Sequence, residues 1–490
     1  MAIIKVTSED MRAVDAASSE MRDYFKALSL KKNRPLTYNV HTYGCQLNES
    51  DSEKLCGMLD SMGLTPTSEL SADVILFNTC SIRENAEDRL FGNLGEAKGP
   101  KKDNRDILII VCGCMMKVPE NVERIRKSFP YVDLVFDPQQ LHSFPLLLRN
   151  TVRSKKQLVN ISDDDYIAED SLVPISRGRK FRALVPIMYG CNNFCTYCIV
   201  PYARGRERSR DFGQIVDELQ GLADQGYKEV MLLGQNVNSY AGEDGKKFPD
   251  VLRAAAEIKA FSRVRFMSSH PKDLSDEVIE MMASYSNIEN HLHLAMQSGS
   301  DKVLDRMNRP YKIADFMRIV DVFRNKVPEG SLSTDIIVGF PGETEEDFQQ
   351  TLDAVKRARF DSAFTFQYSM RPGTVAADFK DQIAHDVVTD RFARLLELQN
   401  DLAYKSNLAK VGKTEEVLIE GESSTASDIL TGRTRSNHLV NFKIPDELKL
   451  KNADGSFSCA DNYEGMLCKV RFTHARPYSV DGIMESIVND

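Results

Sequence analysis

The sequence predicts an α/β chain in three parts: an open α/β sheet, a partial barrel of six strand–helix units, and a small all-β barrel. Three observations predict it. From residue 182 short apolar strands alternate six times with amphipathic helical patterns. Before residue 150 the same alternation runs more loosely. After about residue 410 it gives way to short strands between Gly-, Ser- and Asn-rich turns. A length of 490 residues suits about three domains at roughly 150 residues each. The expected divisions are a charged N-terminal extension (1–35), an open α/β domain (36–155), a linker (156–180), the strand–helix barrel (181–408) and the terminal β-barrel (409–490).

Taken in order, residues 11–28 read as one amphipathic helix before the break at Asn33-Arg34-Pro35. Residues 72–77 and 107–111 are short, continuous apolar runs, the pattern of parallel strands buried on both faces. Residues 52–62 read as helix. The barrel strands are expected at 183–188, 229–233, 264–268, 291–296, 334–338 and 363–368. Asp211 can cap a helix that presents Ile215, Leu219 and Leu222. Thr344 and Asp347 have capping-box spacing ahead of Phe348, Leu352 and Val355. In a parallel strand–helix barrel an active site sits at the carboxyl ends of the strands.

Composition excludes several classes. Hydrophobic residues are 42% and charged residues 28%, ordinary for a globular chain. A net charge of −9 argues against a protein that coats nucleic acid or anionic membrane with its whole surface. The longest strongly apolar run, residues 107–116, is about half of the roughly 20 residues a spanning helix needs. The first dozen residues carry charges and do not read as a secretory signal. A cytoplasmic location with reduced thiols is therefore expected, and ten cysteines there point to metal or redox chemistry more than to disulfides.

The strongest local signal is Met188-Tyr-Gly-Cys191-Asn-Asn-Phe-Cys195-Thr-Tyr-Cys198, a C-x3-C-x2-C loop directly after the first barrel strand. Three thiolates can hold three corners of an iron–sulfur cube and leave the fourth iron open. A structural zinc site would add a second C-x2-C or H-x3–5-H pair, and none exists. Upstream, Cys45, Cys80 and Cys112 or Cys114 each follow a predicted strand, and parallel strands gather such ends along one edge. Cys114 lies past Gly113, further into the loop, and is the better ligand; Cys112 continues the buried strand. Cys56, Cys459 and Cys468 read as structural. His291 and His293 read as packed strand residues rather than ligands. The dinucleotide fingerprint G-x-G-x-x-G and the H-x-E element of zinc deaminases are absent.

These residues resemble the radical S-adenosylmethionine enzymes. Together with Cys45, Cys80, Cys114 and a small terminal β-barrel like the RNA-binding TRAM domain, they resemble that superfamily's methylthiotransferases. The likeness runs from about residue 37 to 485. Four stretches point to the subgroup acting on N6-dimethylallyl (isopentenyl) adenosine: Thr42-Tyr-Gly-Cys-Gln-Leu-Asn, Asn78-Thr-Cys-Ser-Ile-Arg-Glu-Asn, Asp335-Ile-Ile-Val-Gly-Phe-Pro-Gly-Glu-Thr and Gly432-Arg-Thr-Arg-Ser-Asn-His-Leu-Val-Asn-Phe. Two departures occur: Tyr189 stands where the family often has Glu, and Ala295 where it usually has Pro.

The resemblance implies two [4Fe–4S] clusters, on Cys191/Cys195/Cys198 and on Cys45/Cys80/Cys114, with S-adenosylmethionine at the first. It implies methylthiolation of carbon 2 of the adenosine beside the tRNA anticodon. A 5′-deoxyadenosyl radical activates the C–H bond, sulfur comes from or through the auxiliary cluster, and a second S-adenosylmethionine gives the methyl group. Tyr197, Gln235, Gln297 and Asp335 are implied cofactor contacts. Beyond the cluster ligands no catalytic residue is assigned. Two basic runs, among them Arg204, Arg206, Arg208 and Arg210, flank the cluster loop. With Arg433 and Arg435 these four are candidates for RNA phosphates. The implied partners are the anticodon stem-loop and an electron donor such as a flavodoxin or ferredoxin, with no membrane, for a chain expected to be a monomer. The competing readings are a sister methylthiotransferase, acting on threonylcarbamoyl adenosine in tRNA or on a ribosomal-protein aspartate, and a non-catalytic, metal-stabilised RNA-binding protein.

Overall fold

A computed structural model of the chain describes residues 3–81, 84–167, 173–423, 426–449 and 460–488. The first sheet has six strands, all parallel, in the order Thr65–Pro66, Thr37–Tyr43, Val74–Thr79, Leu108–Gly113, Leu134–Phe136, Leu158–Asn160. Val74–Thr79 is buried at every residue, which is why its sequence is a continuous apolar run. Val74 and Leu76 face one core, Ile75 and Phe77 the other.

Two stretches expected outside this domain belong to its structure. The helix Ser8–Lys32 starts with a Thr7/Asp10 capping box and ends at Asn33 in the left-handed region. It buries Met11, Val14, Met21 and Phe25 in the first core, and Lys32 and Arg34 both pair with Asp73. The charged extension is thus a packed helix. Within the expected linker, Leu158–Asn160 is the sixth strand of the sheet, and Asp165–Ile167 pairs in parallel with Ile3–Lys5. Three-residue strands between acidic turns leave too short an apolar run to be read in advance. Residues 168–172 of that linker lie outside the described residues.

All six expected central strands form: Arg182–Pro186, Glu229–Leu233, Arg263–Phe266, His291–His293, Ser331–Val338 and Ser362–Gln367. They make two three-stranded parallel sheets. Isolated parallel bridges, Val264 with Ile288 and Ser269 with Leu294, run between the third and fourth strands. The expected caps at Asp211 and Thr344 are present, and the faces they introduce pack into one large core. Leu184, Met231 and Leu233 form a separate, smaller cluster, as strand alternation requires of residues on the opposite face.

The terminal five strands close into a barrel in the order Thr414–Ser423, Ala426–Thr434, Leu439–Lys443, Val480–Val488, Leu467–Ala475. Its turn at 434–438 meets the amino-terminal ends of the central strands: Asn290 donates its backbone N–H to Arg435 O (2.9 Å) and Ser331 its hydroxyl to Ser436 O (2.6 Å). A buried ionic network completes the contact. Arg263, 1% exposed, pairs with Glu289 at 3.2 Å and with Glu416 of the barrel at 2.9 Å. Arg265 pairs with Glu229 at 2.9 Å and donates to Asn437 Oδ1 at 2.7 Å. Burial pushes the Glu289 carboxyl up to about 7 against the pull of Arg265 and Arg263. Arg263→Ala leaves Glu289 buried without its nearest cation, and we predict a loss of about 3–5 kcal/mol, read as a lower urea midpoint of the full-length protein.

Candidate cluster and cofactor site

The first cysteine trio is set by three neighbouring strands. Cys45 follows Thr37–Tyr43 and caps the helix Gln46–Ser61; Cys80 follows Val74–Thr79; Cys114 follows Leu108–Gly113. The carboxyl ends of adjacent parallel strands lie together, and so do their thiols. Gly113 makes the exit possible. It sits at φ 109°, and a Cβ there would fall 2.2 Å from Thr79 O. Cys112 and Cys114 face differently: Cys112 packs in the first core with Leu134 and Phe136, while Cys114 Sγ accepts a hydrogen bond from Arg204 Nε at 2.8 Å. Contact with Cys80 brings the Cys45 thiol down to about 6, and Arg204 pulls the same way. Burial pushes Cys114 up to about 11. Two asparagines brace the edge: Asn48 Nδ2 donates to Asn78 Oδ1 (3.1 Å), and Asn78 Nδ2 donates to Asn48 O (2.9 Å).

The second trio lies in the loop after Met188–Tyr189. Gly190, at φ 75°, lets that loop press against the backbone of Arg206; a Cβ would stand 2.0 Å from its oxygen. Cys191 N donates to Gly205 O, and Thr196 N to Met307 O. Burial pushes Cys191 up to about 11 and Cys198 to about 12, so iron must displace protons to bind there. A buried arginine meets this trio as well: Arg309 Nη1 lies 3.6 Å from Cys195 Sγ, with Nη2 on Ala295 O at 2.8 Å. Among the described residues no three His, Cys, Asp or Glu side chains converge on a single metal ion. In a cubane the three ligands attach to three different irons.

The expected cofactor contacts are placed as follows. Gln235 follows the second central strand with Oε1 buried and unpartnered; Ser269 Oγ, His270 Nε2 and both amide atoms of Asn238 are in the same state. Buried polar atoms lacking partners are open to a polar ligand. Tyr197 packs edge-on to Phe340. Gln297 is 7% exposed, holds φ 64° and exchanges backbone hydrogen bonds with Asp335 and Ile337. Asp335 Oδ2 lies 3.3 Å from His293 Nε2. His291 and His293 share the Ser333 hydroxyl at 2.8 and 3.0 Å, in keeping with packed strand residues.

The basic run is corrected. Arg204, Arg208 and Arg210 are buried and paired with Asp51 (2.7 Å), Asp165 (3.6 Å) and Glu218 (2.8 Å). Arg204 and Arg208 point inward because the segment after the cluster loop is seated against the first domain's helix and the strand Asp165–Ile167, and Arg210 turns into the central domain toward Glu218 and Pro186 O. Only Arg206 of the four is exposed, stacked over Phe194. Arg433 pairs with Glu420 at 3.3 Å, and Arg435 donates to Tyr285 O at 2.9 Å. Cys56 packs against the first core and Cys468 inside the terminal barrel; Cys459 lies outside the described residues. Sequence reasoning missed Arg309, Asp51, Asn48 and Asn78 as site residues. The two asparagines stand inside the quoted stretches, but nothing local marks their role. A cavity of about 200 Å³ opens on the concave side of the central strands, walled by Gln46, Met231, Met267 and Phe364 over Arg265 and His291. Arg204→Gln removes the cation beside Asp51. We predict a loss of about 3–5 kcal/mol in thermal or urea unfolding, while Arg206→Ala shifts stability by less than about 0.5 kcal/mol.

A model of the radical SAM superfamily matches residues 185–355, and one described as uncharacterized protein family UPF0004 matches residues 37–137. The tRNA-2-methylthio-N(6)-dimethylallyladenosine synthase of Acetivibrio thermocellus is 45% identical over 483 residues, 98% of this chain and 97% of the relative. The protein of the same name from Clostridium botulinum strain Loch Maree is 50% identical over 407 residues, 82% of this chain and 90% of the relative. Among solved structures, the radical S-adenosylmethionine methyltransferase TsrM from Kitasatospora setae superposes with a TM-score of 0.51 over 69% of this chain and 75% of that one. At 12% identity that likeness concerns the fold alone. With two cysteine trios at strand ends and relatives this close over nearly the whole length, the chain belongs to the radical S-adenosylmethionine methylthiotransferases, in the family of the tRNA-2-methylthio-N6-dimethylallyladenosine synthases.

Proposed function

We propose that the chain adds a methylthio group to carbon 2 of the N6-dimethylallyl adenosine beside the tRNA anticodon. One observation carries the reading: Arg204, six residues after the last cysteine of one trio, puts its guanidinium on a thiol of the other. That hydrogen bond ties the segment after one trio to the sheet edge that carries the other, which supports a shared centre. When bound, two [4Fe–4S] clusters and S-adenosylmethionine supply the radical, the sulfur and the methyl group for an inert C–H bond beyond ordinary acid–base chemistry.

The chain's residues bind and orient. Cys191, Cys195 and Cys198 hold one cluster, and Cys45, Cys80 and Cys114 the other, each trio leaving one iron corner for a non-protein ligand. Arg204 and Arg309 offset the negative charge of the ligated sulfurs. Gln235, Asn238, Ser269 and His270 meet the polar groups of S-adenosylmethionine, with Tyr197, Gln297 and Asp335 around them. Burial, followed by Arg309 and Lys272, brings His270 down to about 2, so it meets the cofactor as a neutral ring.

The six central strands form a partial barrel, and the terminal barrel is TRAM-like and binds the anticodon stem-loop with Arg206 and Arg433. The units are the sheet domain, which takes in the strands Leu158–Asn160 and Asp165–Ile167, the barrel at 181–408 and the terminal barrel from 409. The setting is the cytoplasm, with a flavodoxin- or ferredoxin-type electron donor and a monomeric enzyme. Among the described residues no helix is long and apolar enough to cross a membrane.

Two measurements test this. Anaerobically reconstituted protein carries about eight irons, and the Cys45/Cys80/Cys114→Ala variant about four; an unchanged count refutes the first-sheet cluster. Reduced holoprotein given S-adenosylmethionine and a dimethylallyl anticodon stem-loop yields the 2-methylthio nucleoside by mass spectrometry. Product on threonylcarbamoyl RNA or on a ribosomal protein instead transfers the chain to a sister activity.

A further inference from the structure

The sixth central strand, Ser362–Gln367, is the edge of its sheet and alternates exposed with half-buried residues along its length. Its Ala363 packs against the large core. Phe364 and Phe366, two apart and therefore on the opposite face, are 49% and 45% exposed, and Met370 just beyond is 58% exposed. Phe364 stands edge-on to His293 with ring centroids 5.9 Å apart and walls the concave cavity together with Met231, Met267 and Gln46. Gln46 is the residue after Cys45, and its amide reaches Met267 Sδ at 3.6 Å. An apolar wall and the edge that carries the first cysteine trio thus open into the same space. The floor beyond it is polar, built from Arg265, His291 and Arg433.

Single exposed apolar side chains are ordinary, but aromatic pairs on one strand face, continuous with a cavity, mark a binding surface. Resting on the function proposed above, we infer that Phe364 and Phe366 select the substrate by its N6-dimethylallyl group. A base splayed from an anticodon loop offers a flat face to aromatic rings. The dimethylallyl group adds branched hydrocarbon with no hydrogen-bonding atom, suited to phenyl and thioether neighbours. A threonylcarbamoyl group would instead bring a carboxylate against two rings that cannot solvate it.

The test uses full-length, cluster-loaded protein and two anticodon stem-loop RNAs that differ only in the dimethylallyl group. Binding is read by fluorescence anisotropy and methylthiolation by mass spectrometry. The wild type favours the dimethylallyl RNA by about 10- to 200-fold. Phe364→Ala/Phe366→Ala brings that ratio close to one, chiefly by weakening the dimethylallyl complex. Phe364→Leu/Phe366→Leu keeps part of the preference. Should the double alanine variant fail to fold, Phe366→Ala alone, at a half-exposed site, lowers the ratio in the same direction. A wild type without preference, or a preference that survives the alanine substitutions, overturns the inference. Failure of the underlying function shows separately, as wild-type protein that leaves the dimethylallyl RNA unmodified.

Discussion

A buried guanidinium ties the segment after one cysteine trio to the sheet edge that carries the other. Arg204 leaves the segment after the radical-cluster loop, pairs with Asp51 on the first domain's helix Gln46–Ser61, and donates to Cys114. Removing such a cation from water costs several kcal/mol, offset only by close anionic partners with good geometry. Asp51 first, then Cys114 and Cys45, hold its pKa above the ordinary arginine value. The segment that follows Cys191, Cys195 and Cys198 is therefore anchored on the first sheet's thiol edge, while the loop itself is held by the central domain at Met307 and Arg309. Gly190 belongs to the same constraint, because a side chain there would collide with the backbone two residues past Arg204.

The opposite end of the central strands is closed by charge. Arg263, Arg265, Glu229 and Glu289 lie buried where apolar side chains usually fill a barrel floor, and Glu416 and Asn437 of the terminal barrel complete them. That arrangement fixes how the terminal barrel docks, since each buried charge must find its partner. It also leaves the concave face graded, from charged at the floor to thioether and aromatic at the rim. The rim is the part that shares its space with the edge near Cys45.

Much of the fold was legible before any coordinates. Six central strands appeared at the expected positions because short strand-forming stretches recur between helical patterns, as in the wholly buried Glu229–Leu233, and caps such as Thr344 and Asp347 are local signals. The helix at residues 11–28 was legible, but its packing of Met21 and Phe25 into the first core was not, nor were the three-residue strands Leu158–Asn160 and Asp165–Ile167. A basic run read as an RNA surface proved to be three buried ion-paired arginines and one exposed residue. Charge spacing is the same whether a strand end faces water or another domain. Phe364 and Phe366 were visible only as strand residues, because alternation does not tell which face another element covers.

By itself the sequence determined where thiols gather: a C-x3-C-x2-C loop after one strand, and cysteines at three strand ends of the first domain, placed there by local hydrophobic pattern. Tertiary structure alone decided that Cys114 rather than Cys112 meets Arg204, that Asp51 pairs with that arginine, and that Arg309 approaches Cys195. The physical reason is distance in sequence. Arg204 and Cys114 lie 90 residues apart, and a hydrogen bond between them exists only once two separately patterned sheets have packed edge to mouth.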